Sequence, residues 1–238
     1  PALTLNGANM HIHQLVLNRF RMNVIVILND ATHNAITGCY IGVDPTGETQ
    51  IGNQGDGILL HGDHNQIGGP SVAERNVVSG NTRNGMQMGG HYNVIENNFF
   101  GTNALGTKAI GNGESGLANV EGTHNLFKNN LICGNGWDGI QFWSADENTV
   151  NGNRIGVDIN GNPGFGNSEF GIRLTPGDDI CLGNVIIGNT IASSGRGGIL
   201  AGDADHPVHD NRFEKNTIFE NQGGGILLIF QSMRNTMS

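Results

Sequence analysis

Between Ile132 and Ile155 the chain passes Ile140 and Val150, with apolar residues at intervals of eight, ten and five, so a cycle closes after 23 residues and begins again. Gly or Asn separates these anchors. A chain that keeps returning to one apolar face at this spacing winds about a single axis. Three strand-sized segments per cycle are what one coil of a parallel β-helix needs.

The cycle runs along most of the chain. A first anchor, usually after Gly, recurs at Val24, Ile58, Met86, Leu117, Ile140, Ile172, Ile199 and Ile226. A second, two residues after an Asn, falls at Ile36, Ile67, Ile95, Phe127, Val150, Ile186, Phe213 and Met237. A third follows at Ile41, Val78, Phe100, Ile132, Ile155, Ile191 and Ile218. The pattern predicts an all-β fold, a right-handed parallel β-helix (solenoid) of about eight coils with three short strands each. The right hand follows from strand twist. Residues 1–238 are expected to form a single β-helix domain, with 1–23 an irregular first coil and 24–237 regular coils. The whole reads as a piece of a longer array.

Departures from the cycle fall between anchors. Second to third anchor takes five residues except from Ile67 to Val78, where six extra fall in the loop composition Gly-Gly-Pro-Ser-Val-Ala-Glu-Arg (68–75). Arg75 there is expected to bond local carbonyls. Third to first takes either eight or seventeen residues, and the three long versions align at Gly42, Gly101 and Gly156 without a gap. They predict three matching loops projecting from one edge. Asn residues two before the second and third anchors, such as Asn125 and Asn130, predict ladders whose amides bond from coil to coil, with the Asn in left-handed turn positions.

The 39 glycines among 238 residues suit a chain built of turns. A net charge of −9, with only 12 Lys and Arg, argues against a nucleic-acid partner. No apolar run reaches the roughly 18–20 residues of a membrane span, so no membrane insertion is expected. Cys39, Cys133 and Cys181 are too few and too widely spaced for a disulfide framework or a zinc motif.

The phrases Asn-Gln-Ile-Gly-Gly (65–69), Arg-Asn-Val-Val-Ser-Gly-Asn (75–81) and Asn-Gly-Asn-Arg-Ile-Gly (151–156) resemble the right-handed parallel β-helix repeats of the pectin-lyase-like superfamily, over nearly all of residues 24–237. The resemblance implies an extracellular or cell-surface protein with a polysaccharide or glycan partner. It places sugar on the sheet of Gly-Ile anchors. No cofactor is required, and calcium is possible at the acid clusters.

Alternation puts Leu59, Gln87, Ala118, Gln141, Arg173, Leu200 and Leu227 on the outer row of that sheet. Seven of the nine histidines lie in loops that follow a first anchor. Candidate substrate-binding residues are Gln87, Gln141, Trp143, Asp146, Asp203 and His206, with Trp143 as an apolar platform for a sugar ring. Candidate catalytic residues are Arg173, Asp178 and Asp179, because glycoside hydrolysis needs a carboxyl pair and lyases a base beside a cation. Gly177-Asp178-Asp179 is similar to the paired aspartates of polygalacturonases, whose companion Asn-Thr-Asp, His-Gly and Arg-Ile-Lys signatures do not occur in their order here. Lys108, Lys128 and Lys215 all lie off the sheet. Asp158-Ile-Asn-Gly-Asn162 resembles a calcium loop without its distal glutamate and reads as a turn. Two functions fit: a carbohydrate-facing scaffold or adhesive module, which the regular coils favour, and a polysaccharide-degrading lyase or glycoside hydrolase.

Overall fold

The computed structural model describes residues 1–177, 181–203, 208–229 and 234–238. Three parallel sheets of nine, nine and eight strands stack along one axis as a right-handed β-helix. Each anchor sits over its copy in the next coil: Ile58, Met86, Leu117, Ile140, Ile172, Ile199 and Ile226 form one column. The columns fill a narrow core in which Phe127 and Phe142 lie 5.5 Å apart, ring centre to ring centre.

Two expectations about the start of the chain need correction. Residues 1–23 are not irregular: Leu3–Leu5, His11–His13 and Val16–Leu17 add one strand to each sheet. Turn residues there differ from the later pattern, but backbone pairing does not require them. The first anchor of the next coil is Ile25, paired with Leu3 and Ile58, while buried Val24 takes the place that Gly57 holds one coil on.

The Asn ladders form at every corner of the coil with amides bonded from coil to coil as expected, Asn130 Nδ2 donating to Asn153 Oδ1 at 3.0 Å, and only the left-handed turn position differs. Along the middle of each ladder the Oδ1 also accepts the backbone N–H of the Asn in the preceding coil, as Asn148 does from Asn125 at 2.9 Å. The Nδ2 group ties down a turn carbonyl, as Asn125 does with Gly90 at 2.9 Å. The left-handed residue is the one before the ladder Asn: His64, Tyr92, His124 and Glu147 at one corner, Asn97 and Asn129 at the next. The amide must point inward to reach buried backbone, so the backbone reversal falls one residue earlier. A third ladder through Asn81, Asn112, Asn135 and Asn167 closes the third corner.

The three long loops do not project. Each is a small hairpin, bridged at Val43–Gln50, Thr102–Ala109 and Val157–Pro163, that folds back over the third sheet. Val77, Phe99 and Leu131 face outward there, and the hairpins cover them in a second apolar cluster with Val43 and Ile110. Successive hairpins bond, Ala104 N to Gly47 O and Ile159 N to Gly106 O, both at 2.9 Å. Asp158 closes its hairpin as a turn, its carboxylate accepting the backbone N–H of Asn160 and Asn162 at 2.8 Å and the Asn162 amide at 2.9 Å. Asn103 and Asp44 do the same one and two hairpins earlier.

Candidate functional site

The outer face of the first sheet carries Val26, Leu59, Gln87, Ala118, Gln141, Arg173, Leu200 and Leu227 in register. Its polar centre is where chemistry collects. A concavity of about 250 Å³ is lined by Trp137, Asp138, Gln141, Glu169 and Arg173. Asp138 is 1% exposed; its Oδ1 accepts the Phe170 N–H at 2.9 Å, and its Oδ2 lies 3.1 Å from Arg173 Nε. That N–H points off the line to the oxygen and makes no hydrogen bond, so the contact is mainly charge on charge. Glu169 Oε2 holds Arg173 Nη2 at 3.1 Å and Arg196 Nε at 2.9 Å.

Burial pushes the Asp138 carboxyl up to about 6, against the opposing pull of Arg173 and the Phe170 N–H. Arg173 also lies 5.1 Å over the Phe170 ring. Two acids and two guanidiniums therefore interlock beside Trp137, which is 49% exposed.

A second depression of about 410 Å³ opens on the same face, around His61, Asp63, Gln87, Gly89, His91 and Glu121. Gly89 lowers the floor there. Asp63 Oδ1 accepts the His91 backbone N–H at 2.8 Å, and His91 Nδ1 accepts the Thr123 N–H at 3.1 Å. The latter bond leaves the ring proton on Nε2 in the neutral form.

The expected site residues separate. Gln141 and Arg173 meet in the first concavity and Gln87 lines the second. Trp143, 45% exposed, stands at the far end of its strand beside Gly177 and does not line the concavity. Asp146 is turned away, its Oδ1 accepting the Leu182 N–H at 2.7 Å. Asp203 is half-buried. Asp178, Asp179 and His206 lie outside the described residues. The sequence reading missed Trp137, Asp138, Glu169 and Arg196, which precede the first anchor; the Trp137-Asp138-Gly139 run was the available signal.

Three of the histidines outside these depressions stack rather than converge. His33, His64, Tyr92 and His124 form a column with ring centres 5.3, 5.1 and 4.7 Å apart, ended by a 2.6 Å contact of His124 Nε2 with Glu147.

With this geometry in place, sequence comparison finds one family profile, "Periplasmic copper-binding protein (NosD)", matching residues 6–235. The chain belongs to the NosD family. No individual curated protein matches this NosD-family sequence. Among solved structures it is similar to a double mutant of the periplasmic alginate epimerase AlgG, at 13% identity and TM-score 0.55, covering 99% of this chain and 69% of that one. It is also similar to the Dettilon tailspike protein gp208, at 19% identity and TM-score 0.51, covering 94% of this chain and 54% of the tailspike. Bacteriophage CBA120 tailspike protein 2 (enzymatically active domain) matches at 10% identity and TM-score 0.53, covering 98% of this chain and 42% of that one. At such identities the likeness shows the fold, and the chain spans about half the length of the tailspikes.

The family description makes copper a question for the donor set. Among the described residues no three His, Cys, Asp or Glu side chains are grouped to hold a metal ion. Cys39, Cys133 and Cys181 are buried apart from one another, and burial pushes the Cys133 thiol up to about 12, far from the thiolate a soft metal needs. The rings from His33 to His124 lie within 8–25° of parallel with their neighbours, with Tyr92 between His64 and His124, so they stack face on face instead of closing round a common centre. The described residues do not fit a resident copper. No helix among them is long and apolar enough to cross a membrane.

Proposed function

We propose that this NosD-family β-helix is a glycan-facing module of the cell envelope, which holds a polysaccharide against the polar centre of its first sheet. The observation that carries this reading is the concavity of Trp137, Gln141 and Arg173, an apolar ring face beside amide and guanidinium donors. Asp138 and Glu169 balance Arg173 and Arg196 there, so the concavity suits sugar hydroxyls better than a polyanion. The periplasmic family description and the alginate-epimerase name of one structural neighbour support the envelope location and the class of partner. Calorimetric titration with a panel of neutral and acidic oligosaccharides tests it. Binding weakened by Trp137→Ala and Gln141→Ala is the expected result, and silence across the panel would overturn it.

A second reading, a polysaccharide-modifying enzyme, is favoured by Asp138, whose raised carboxyl beside Arg173 has the proton affinity of an acid–base group near neutrality. In that reading Arg173 neutralises developing charge and Asp138 moves the proton. Its test is unsaturated product by ultraviolet absorbance, with reducing ends measured in parallel. Activity abolished by Asp138→Asn supports the enzyme.

A further inference from the structure

At the corner between the second and third sheets, Arg75, Asn97, Phe99, Asn129, Leu131 and Arg154 line a notch of about 240 Å³. No carboxylate lines it, in a chain whose net charge is −9. Arg75 is held in place from two sides. Its Nε donates to Asn97 O at 3.2 Å, its Nη2 donates to Asn97 Oδ1 at 2.8 Å, and its guanidinium carbon lies 4.1 Å from the centre of the Phe99 ring. The remaining nitrogen, Nη1, has no protein acceptor among the described residues. Arg154 donates Nη1 to Ile159 O at 2.7 Å, which steadies the side chain and leaves Nε and Nη2 available.

These two arginines differ from Arg83, Arg173, Arg196, Arg212 and Arg234, each of which lies against a carboxylate. The acids nearest in sequence are engaged elsewhere. Glu74 accepts the Ser71 N–H at 3.0 Å and its hydroxyl at 2.6 Å, and Asp158 is occupied by Asn160 and Asn162. Burial lowers the Arg75 pKa against the weaker opposing pull of Tyr40, the mark of a cation that has lost water and has no carboxylate beside it. A partly desolvated guanidinium with a fixed plane and a free N–H edge favours an anion that can accept from it. The uncommitted Asn129 amide on the notch wall adds a neutral donor.

We infer that the notch between Arg75 and Arg154 binds a small oxyanion, such as the carboxylate of an acidic sugar or a sulfate group. It is separate from the first-sheet concavity and does not depend on the glycan reading. The test is calorimetric titration of the whole chain with sodium sulfate and with galacturonate, ionic strength being held constant with chloride. One ion per chain is expected. Arg154→Gln, at an exposed side chain whose loss leaves the fold intact, weakens binding by about tenfold or more, Arg75→Lys weakens it too, and Trp137→Ala leaves it unchanged. Sulfate binding alone marks a tetrahedral oxyanion site, and tighter galacturonate binding marks a carboxylate site. Absence of binding by both probes, or binding indifferent to Arg154→Gln and Arg75→Lys, overturns the inference.

Discussion

Arg173 Nε lies 3.1 Å from Asp138 Oδ2 across neighbouring coils of the first sheet, and burial holds that carboxyl near a pKa of about 6. A carboxyl raised in the folded state binds its proton more tightly there than in the unfolded chain. Its contribution to stability is therefore complete below the ordinary aspartate value and fades as pH rises through about 6. Urea unfolding of the wild type and Asp138→Asn across pH 4–7 isolates this group. The wild type should lose up to about 2–3 kcal/mol relative to the variant over that window. Parallel profiles would show that Asp138 titrates normally.

The ladder asparagines should be among the costliest polar residues to remove. Asn130 accepts the Asn98 N–H at 2.9 Å and donates to Ile95 O at 2.8 Å and to Asn153 Oδ1 at 3.0 Å, all buried. Asn130→Ala takes the partner from the Asn98 N–H and from Ile95 O, while Asn153 Oδ1 keeps the backbone N–H of residue 130, so a loss of about 3–5 kcal/mol is expected in denaturant unfolding. Asn235→Ala, in the half-buried last rung, should cost far less.

Two glycines with similar backbone angles should respond differently to alanine. Gly156 has φ 75°, and a Cβ there would stand 1.8 Å from Ala192 O. Gly161 has φ 87° with open space around it. Gly161→Ala should cost about 1–2 kcal/mol from the left-handed backbone alone. Gly156→Ala should cost clearly more, because the neighbouring coil has to move. Thermal unfolding of the pair measures the difference.

The chain has only two tryptophans, Trp137 and Trp143, and both are about half exposed. A bound glycan that covers the Trp137 ring should shift its fluorescence to shorter wavelength. Trp143→Phe keeps that shift and Trp137→Phe removes it. Trp137→Ala should weaken binding by about tenfold, the value of a ring face against sugar. A shift that follows Trp143 instead would move the site to the other end of the strand.

The sequence by itself determined the coil. Side chains on a parallel β-helix repeat their environment at every turn, so the core columns, two of the three Asn ladders and the outer row through Gln87, Gln141 and Arg173 are written as periodic positions. Tertiary structure decided what lies outside that period. Val24 and Ile25 are equally apolar, and only pairing with Ile58 shows which faces the column. The long loops align in sequence, but the need to cover Val77, Phe99 and Leu131 folds them down onto the sheet. Asp138 is an ordinary acid by composition; its burial and its contact with Arg173 come from neighbouring coils meeting. Chemistry here depends on neighbours 22 to 40 residues apart along the chain, a distance about one coil long, and that proximity exists only once the coil has closed.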